Sequence, residues 1–428
     1  MEQRANCIWK VFAVSILLAG LFLVGCNNPT APSTICPFAC SPPSGSTTSY
    51  TTPLLKWEDV TGASGYHVQV ATNSSFTGPL VDEDNTLTAS HYHVTPTLTR
   101  GETYYWHVKT KNDDGLWSDW SNTWSFTVLL LTARSQTSEI TGSVTFYLRF
   151  VEPGGYYVGE QTGSFEYEEN TNVALTKGYW ITETEVTYEL WYEVRTWGEG
   201  NGYTFANMGR EGNDGGLGAT PTDDSQEPVT CINWRDAMIW CNALSEKQGL
   251  MPAYYTDSGY STPIRAATNN SLDTTAGHED NPYVNWSAEG YRLPTEAEWE
   301  IAARGADLSS GYGTVFAGND APGDVAWYEA NSGGSTHAVG TKWANELGLY
   351  DMSGNVCEWT WDWWGSTFPT VSTDPRGPAT GSSRALRSGN NSISAYCCCV
   401  FYRFDIDEGL HPSQERSNVG FRPVRTAE

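Results

Sequence analysis

Tryptophan is the residue that most limits what this chain can become. Nineteen of them are distributed from Trp9 to Trp364. Each indole brings a large apolar area and one N–H that needs a partner once buried. Aromatics fit pleated, half-buried surfaces, so the distribution favours β-rich, aromatic-layered domains over helical bundles. With 39% hydrophobic residues and 13% aromatics there is ample material for packed cores, and 428 residues suggest two or three domains. Asp and Glu outnumber Lys and Arg by 50 to 24, a net charge of −26. Such a surface repels polyphosphate and anionic headgroups, so nucleic acid is excluded as a partner, whereas calcium and high solubility suit it.

The N-terminus reads as an export signal. Arg4 and Lys10 precede a mostly apolar run, Val11 to Val24, too short for a comfortable membrane span. It ends in Leu23-Val24-Gly25-Cys26, which resembles a bacterial lipobox. The resemblance implies cleavage before Cys26, lipidation of its thiol and a membrane anchor. Asn27 in place of aspartate points to the outer membrane. Residues 1–25 are therefore a lipoprotein signal peptide, and the expected location is the bacterial cell envelope, at the outer membrane or cell surface. Residues 26–50, rich in Pro, Ser and Thr, read as a tether in which Cys36 and Cys40 could form a local bridge. No other stretch is apolar enough over sufficient length to span a membrane.

Residues 51–130 alternate at a period of two in "LLKWEDV", "GYHVQVAT", "ETYYWHVKTKN" and "TWSFTVLLL". Short strands separated by Gly, Asn and Asp turns predict a small all-β sandwich. Trp57 and the run "LTRGETYYWHVKTKNDDGLWSDWS" resemble fibronectin type III modules, with Tyr104, Trp106 and Val108 pointing into the core. Its expected role is that of a spacer, with carbohydrate binding as the alternative.

Residues 144–428 carry the informative motifs. In "PVTCINWRDAMIWCNALSEKQG", Trp234, Ala237, Met238, Cys241 and Leu244 fall at helical spacing behind Asn233 as cap, which turns Cys241 into the core. In "YRLPTEAEWEIAARG", Thr295 and Glu298 form a capping box with Trp299 and Ala302 beneath. "NELGLYDMSGNVCEWTWDWW", "RALRSG" and "NVGFRPV" follow.

Together these motifs resemble the formylglycine-generating enzyme (sulfatase-modifying factor) family. The resemblance implies an α+β, C-type-lectin-like fold behind the sandwich. It leaves function open, because that fold serves oxidases, sulfoxide synthases and binding proteins. The oxidases need two cysteines five positions apart, able to hold a soft metal such as copper. Aligned on "RSG", the downstream cysteine is Cys398, or Cys397 if the adjacent tyrosine is the guide. The upstream partner is then Ile393 or Ser392, and neither can supply a thiolate. A copper-dependent oxidase acting on exported proteins, using Cys397 and Cys398, therefore stays only as the alternative. The sulfoxide-synthase branch needs a histidine-rich iron domain that seven scattered histidines do not provide.

The segment "SGNNSISAYCCCVFYRFDID" has another signature. From Ser388 to Asp407 it lacks Lys, Glu, Gln, Met and Trp. The types present are those reached when the first two bases of an AAC codon are randomised. This resembles the variable region of diversity-generating retroelement proteins, including treponemal variable lipoproteins. Ser388, Asn390 and Asn391 depart from the family's Gly, Ser and Trp, and Glu408, Gln414 and Glu415 fall outside the reachable set. Aromatic, Ser, Asn and Asp side chains on a fixed backbone suit a binding surface. The expected contacts with a protein or cell-surface ligand are Asn390, Asn391, Ser394, Tyr396, Tyr402, Phe404, Asp405 and Asp407, about half of them structural if the segment alternates. Cys397, Cys398 and Cys399 would then be sampled residues, exposed and prone to disulfide formation.

The family resemblance also implies a structural calcium ion at Asp351, Gly354, Val356 and Glu358, two carboxylates and two backbone carbonyls from one looping segment. The alternative is a polar turn whose acids cap helices or stay solvated.

Overall fold

The computed structural model describes residues 39–427 apart from 43, 49–52, 97, 129–134, 160–170, 223–225, 307–313, 366–372 and 404–408. Two units divide at Leu131.

In the first unit, the alternating stretches become β1 (Ala39–Ser41), β2 (Ser46–Thr48), β3 (Leu54–Trp57), β4 (Ala63–Ala71), β5 (Asp82–Leu87), β6 (His91–His93), β7 (Thr103–Asn112) and β8 (Trp124–Val128). They form sheets ordered β1-β3-β6 and β2-β8-β7-β4-β5. One residue in two turns inward, so Leu55, Trp57, Val68, Val70, Tyr104, Trp106, Val108 and Phe126 close one core between the sheets. The expected tether is corrected here: β1 pairs with β3 and β2 with β8, so part of the stretch assigned to it belongs to the sandwich. On the other face of the long sheet, Phe76 stacks on His107 at 3.6 Å and His107 on Trp120 at 3.9 Å. Lys109 Nζ stands 4.4 Å from the Trp120 ring centre. The backbone amides of Val108 and Thr110 donate to the Ser121 and Ser118 hydroxyls.

The second unit contains β9 (Gln136–Thr141), β10 (Val144–Val151), β11 (Gly154–Val158), β12 (Thr171–Leu175), β13 (Tyr179–Thr182) and α1 (Tyr188–Gly200). Next come β14 (Arg210–Glu211), β15 (Val229–Thr230), α2 (Trp234–Lys247), β16 (Tyr254–Tyr255), β17 (Tyr283–Val284), β18 (Tyr291–Arg292) and α3 (Glu296–Ala303). The chain closes with α4 (Pro322–Val325), β19 (Cys357–Trp363), β20 (Arg384–Arg387), β21 (Val419–Gly420) and β22 (Val424–Thr426). The main sheet runs β18-β22-β13-β10-β9, and a smaller one runs β20-β19-β21. Because β9 pairs along β10 from Thr141↔Val144 to Gln136↔Arg149, this domain begins before the expected residue 144.

Both helix starts form as read. Asn233 Oδ1 accepts from Asp236 N at 2.8 Å, and Asn233 N donates to Asp236 Oδ2 at 3.1 Å. Thr295 and Glu298 make the equivalent pair at the start of α3. Trp234, Ala237, Met238, Cys241 and Leu244 are all fully buried, and burial pushes the Cys241 thiol well above its ordinary pKa. Trp191 on α1 and Trp240 on α2 lie parallel at 6.2 Å, and Phe421 of "GFR" meets both edge-on. That arrangement ties the C-terminal motif to both helices.

Candidate ligand-binding face

The segment after β20 begins with a sharp turn. Ser388 and Gly389 have φ of +81° and +72°, the left-handed region that glycine tolerates best. A Cβ on Gly389 would meet Cys397 O at 2.5 Å and Cys398 Sγ at 2.7 Å, so only glycine fits. Ser388 occupies the position where the family pattern has glycine. Its buried hydroxyl lies 3.0 Å from Gly354 O and 3.2 Å from Asp351 O, which offsets part of the strain.

Beyond the turn the chain divides into floor and face. The floor is held from below by α3. Arg387 donates to Glu296 at 3.1 Å, to Glu300 at 2.7 Å and to Val400 O at 2.6 Å. Arg403, past the segment's core residues, grips Glu296 through Nε and Nη2. Burial alone would raise the pKa of Glu296 and Glu300. The Arg403 and Arg387 charges beside Glu296, with Arg304 and Arg387 beside Glu300, win and hold both below the ordinary carboxylate range. Cys398, Cys399, Val400 and Phe401 join the main core. The face consists of Ser392, Ser394 and Tyr396, exposed, with Cys397 and Tyr402 half-exposed. Ser394 caps a single 3₁₀ turn, Ala395–Cys398. Tyr396 is 50% exposed and meets the Tyr402 ring edge-on at 5.6 Å.

This division corrects several expected contacts. Asn390 and Asn391 are buried, not displayed. Asn390 accepts from Ser392 N and Oγ and donates to Cys357 Sγ at 3.2 Å, while Asn391 N donates to Asn355 O. Asn390 fastens the segment to the first residue of β19, and Asn391 to the loop before it. Ser394, Tyr396 and Tyr402 remain on the outer side. Phe404, Asp405, Asp407 and Cys26 lie outside the described residues.

The cysteine triplet is corrected as well. Only Cys397 reaches the surface, and only partly; Cys398 and Cys399 are buried. None of Cys231, Cys241, Cys357, Cys397, Cys398 and Cys399 is in a disulfide. Burial drives the Cys398 thiol far above its usual pKa and pushes Cys357 to about 12. Cys398 and Cys399 pack in the core with Val400 and Phe401. Of the two positions expected downstream in an oxidase pair, Cys398 is a core residue and Cys397 is half-exposed. Ser392 Oγ, the upstream candidate, is hydrogen-bonded to Asn390 Oδ1 at 2.7 Å. Among the described residues, no group of three or more His, Cys, Asp or Glu is gathered to hold a metal ion.

The expected calcium ligands fit in part. Asp351 is 2% exposed, accepts from Gly340 N at 2.7 Å through Oδ2, and leaves Oδ1 buried with no partner. Burial raises its pKa to about 6. Its φ is +56°, which Asp and Asn tolerate. Gly354 and Val356 line the same loop, where Val356 N donates to Glu185 Oε1 at 3.1 Å. Sequence reading missed Glu185, a fully buried acid whose only outward sign is its place in "TETEV" ahead of α1. Glu358 does not fit. Both its oxygens accept from Arg422, at 2.7 to 2.9 Å, and Trp299 Nε1 donates to Oε2 at 2.6 Å. A guanidinium already neutralises that carboxylate.

Comparison with known proteins accounts for both units. Residues 47–132 match the Rha78A-like, N-terminal immunoglobulin domain, the same two-sheet architecture as the expected fibronectin-like module. Residues 137–427 match the sulfatase-modifying factor enzyme 1-like domain. The chaperone protein LppX of Paenibacillus barcinonensis is 33% identical over 235 residues, 50% of this chain and 71% of that protein. A formylglycine-generating enzyme of Streptomyces coelicolor is 33% identical over 188 residues, 40% of this chain and 57% of the enzyme. Among solved structures, Treponema denticola variable protein 1 superposes with a TM-score of 0.53 at 32% identity, covering 68% of this chain and 98% of that one. CarF gives 0.50 at 31% identity, over 66% of this chain and 98% of its own. With its α+β fold, its two capped helices and its "GFR" closure matched over residues 137–427, the chain belongs to the sulfatase-modifying factor enzyme 1-like family.

Proposed function

We propose that this chain is a non-catalytic, lipid-anchored envelope protein that uses its family fold to present a variable ligand-binding face. The observation that carries the reading is the split between floor and face within residues 388–403. Side chains restricted to the AAC-derived set include both core residues and outward ones, and the outward ones cluster around Tyr396. The likeness to Treponema denticola variable protein 1 supports it. The ligand is a protein or cell-surface molecule, met by Tyr396, Tyr402, Ser394 and the neighbouring outward positions. Against the oxidase reading stand a Cys398 packed into the core and the lack of a cysteine at 392 or 393.

The nucleotide sequence downstream of the gene tests this reading. A near-copy of the stretch encoding residues 388–420, differing only at adenines and accompanied by a reverse transcriptase, is the expected finding. Absence of such a repeat removes the diversification claim and returns the thiols to direct tests of copper and oxygen chemistry.

Calcium is proposed only at Asp351 and the carbonyls of its loop. The unpartnered Oδ1 and a carboxyl lifted toward neutrality call for either a cation or a proton. Adding calcium at pH 7.5 is expected to raise the melting temperature of the wild type and not of Asp351→Ala, which offers no side-chain oxygen. In chelator, Asp351→Asn is expected to melt at or above the wild type, because it removes a buried charge while keeping a side chain that accepts the left-handed backbone. A calcium shift that survives in Asp351→Ala would move the site elsewhere, and no shift in either would leave the proton reading.

A further inference from the structure

The second unit has a cleft lined by no residue of the variable segment, with a volume of about 180 Å³, between the end of β12, the Trp286 loop, the start of α3 and the loop at Asp374–Arg376. Its electrostatics run against the rest of the molecule. In a chain of net charge −26, Lys177, Arg292 and Arg376 line it. The two carboxylates beside them are already committed. Glu298 is gripped by both terminal nitrogens of Arg292, at 2.7 and 2.6 Å, and accepts from Thr295 N at 2.8 Å. Asp374 accepts from the Thr176 amide at 2.8 Å and hydroxyl at 2.5 Å. Lys177 and Arg376 form no ion pair among the described residues. The Arg376 guanidinium lies 4.2 Å from the Trp286 ring centre, and that of Arg292 lies 5.1 Å from it. Trp286 is itself braced edge-on by Trp361 at 5.6 Å.

We infer that this cleft binds a small carboxylate ligand, with Arg376 as the residue that recognises it. A guanidinium resting on an aromatic face is oriented in advance and keeps its N–H edge free for two parallel hydrogen bonds to a carboxylate. Lys177 adds a second, unpaired positive charge. Small-molecule pockets usually span about 300–1,000 Å³, so this smaller space selects a ligand of monosaccharide or amino-acid size. Two sources share that chemistry, an acidic sugar and an acylated amino acid. The site does not depend on the variable face, and it uses none of its residues.

Calorimetric titration of the full chain at low salt distinguishes the sources. The probes are glucuronate and N-acetylglycine, each against its own amide, glucuronamide and N-acetylglycinamide. At least one acid is expected to bind saturably and about tenfold or more tighter than its amide, a difference of about 1.4 kcal/mol. Binding should weaken with salt, fall at least tenfold in Arg376→Ala and recover in part in Arg376→Lys. Arg376 is exposed, so neither variant should disturb folding. Tyr396→Ala should leave these titrations unchanged. Equal binding of acid and amide, an unaffected Arg376→Ala, or no saturation by either acid up to about 20 mM, weaker than any useful affinity, would overturn the assignment.

Discussion

Glu296→Ala is expected to cost the second unit about 3–5 kcal/mol, the range for breaking a buried ion pair from one side. The substitution takes from Arg403 the carboxylate to which its Nε and Nη2 donate, and from Arg387 one of its two acids. All three side chains are essentially without solvent, so water cannot replace what is lost. Urea denaturation read on the second unit's transition should show a lower midpoint with an unchanged slope. Glu296→Gln, which keeps the shape, should cost less. A loss below about 1 kcal/mol would mean the network is not what holds the segment.

The same network sets an acid limit. Glu296 and Glu300 stay charged in the folded unit at pH values where the unfolded chain takes up protons. Their contribution is therefore complete above the ordinary glutamate pKa, about 4.3, and declines as pH falls below it toward the depressed folded value. Asp236 and Asp351 act in the opposite sense. Burial raises each to about 6, so the folded unit binds their protons more tightly, and stability drains as pH rises from the unfolded value through 6. A wild-type profile in urea should therefore fall below about pH 4, and Glu296→Gln should flatten that limb.

Phe401→Ala and Tyr396→Ala form the second large contrast. The two aromatics are five positions apart in a segment of uniform composition, yet one is 4% exposed and the other 50%. Phe401 shares one buried core with Cys398, Cys399, Val400 and the apolar residues of α3, so its truncation should cost about 3–5 kcal/mol. Tyr396→Ala should stay within about 0.5 kcal/mol, as surface changes do, while removing binding of whatever ligand the face recognises. Comparable losses at both positions would contradict the division into floor and face.

What could be read from the residues was mostly local. The Asn233 and Thr295 caps are signals written within four positions, and both helices start where those signals fall. The inward alternation of Tyr104, Trp106 and Val108 is a strand property that needs no knowledge of the partner sheet. The expected site was less legible, because its outcome depends on what lies beneath. Asn390 and Asn391 look like adaptable surface donors, but the start of β19 supplies the Cys357 sulfur to which the buried Asn390 amide donates, and the backbone N–H of Asn391 is tied to Asn355 O. The cysteine triplet looks like exposed chemistry, and its fate was set by α3 below it. Glu358 was assigned to a cation, and the cation it meets is Arg422, contributed by the "GFR" motif from sixty-four positions away. The start of the sandwich was hidden because strands as short as Ala39–Ser41 carry no periodicity of their own.

The central claim is that this fold carries a face that can change without cost to what holds it. Randomising Ser392, Ser394, Tyr396 and Cys397 together, and measuring the melting temperature of the second unit across about fifty purified variants, tests that claim most directly. The prediction is a narrow distribution, within about 4 °C of the parent, equivalent to roughly 1–2 kcal/mol for a unit of this size. A broad distribution with many variants unfolded would mean these side chains are part of the structure, and the display reading would fall.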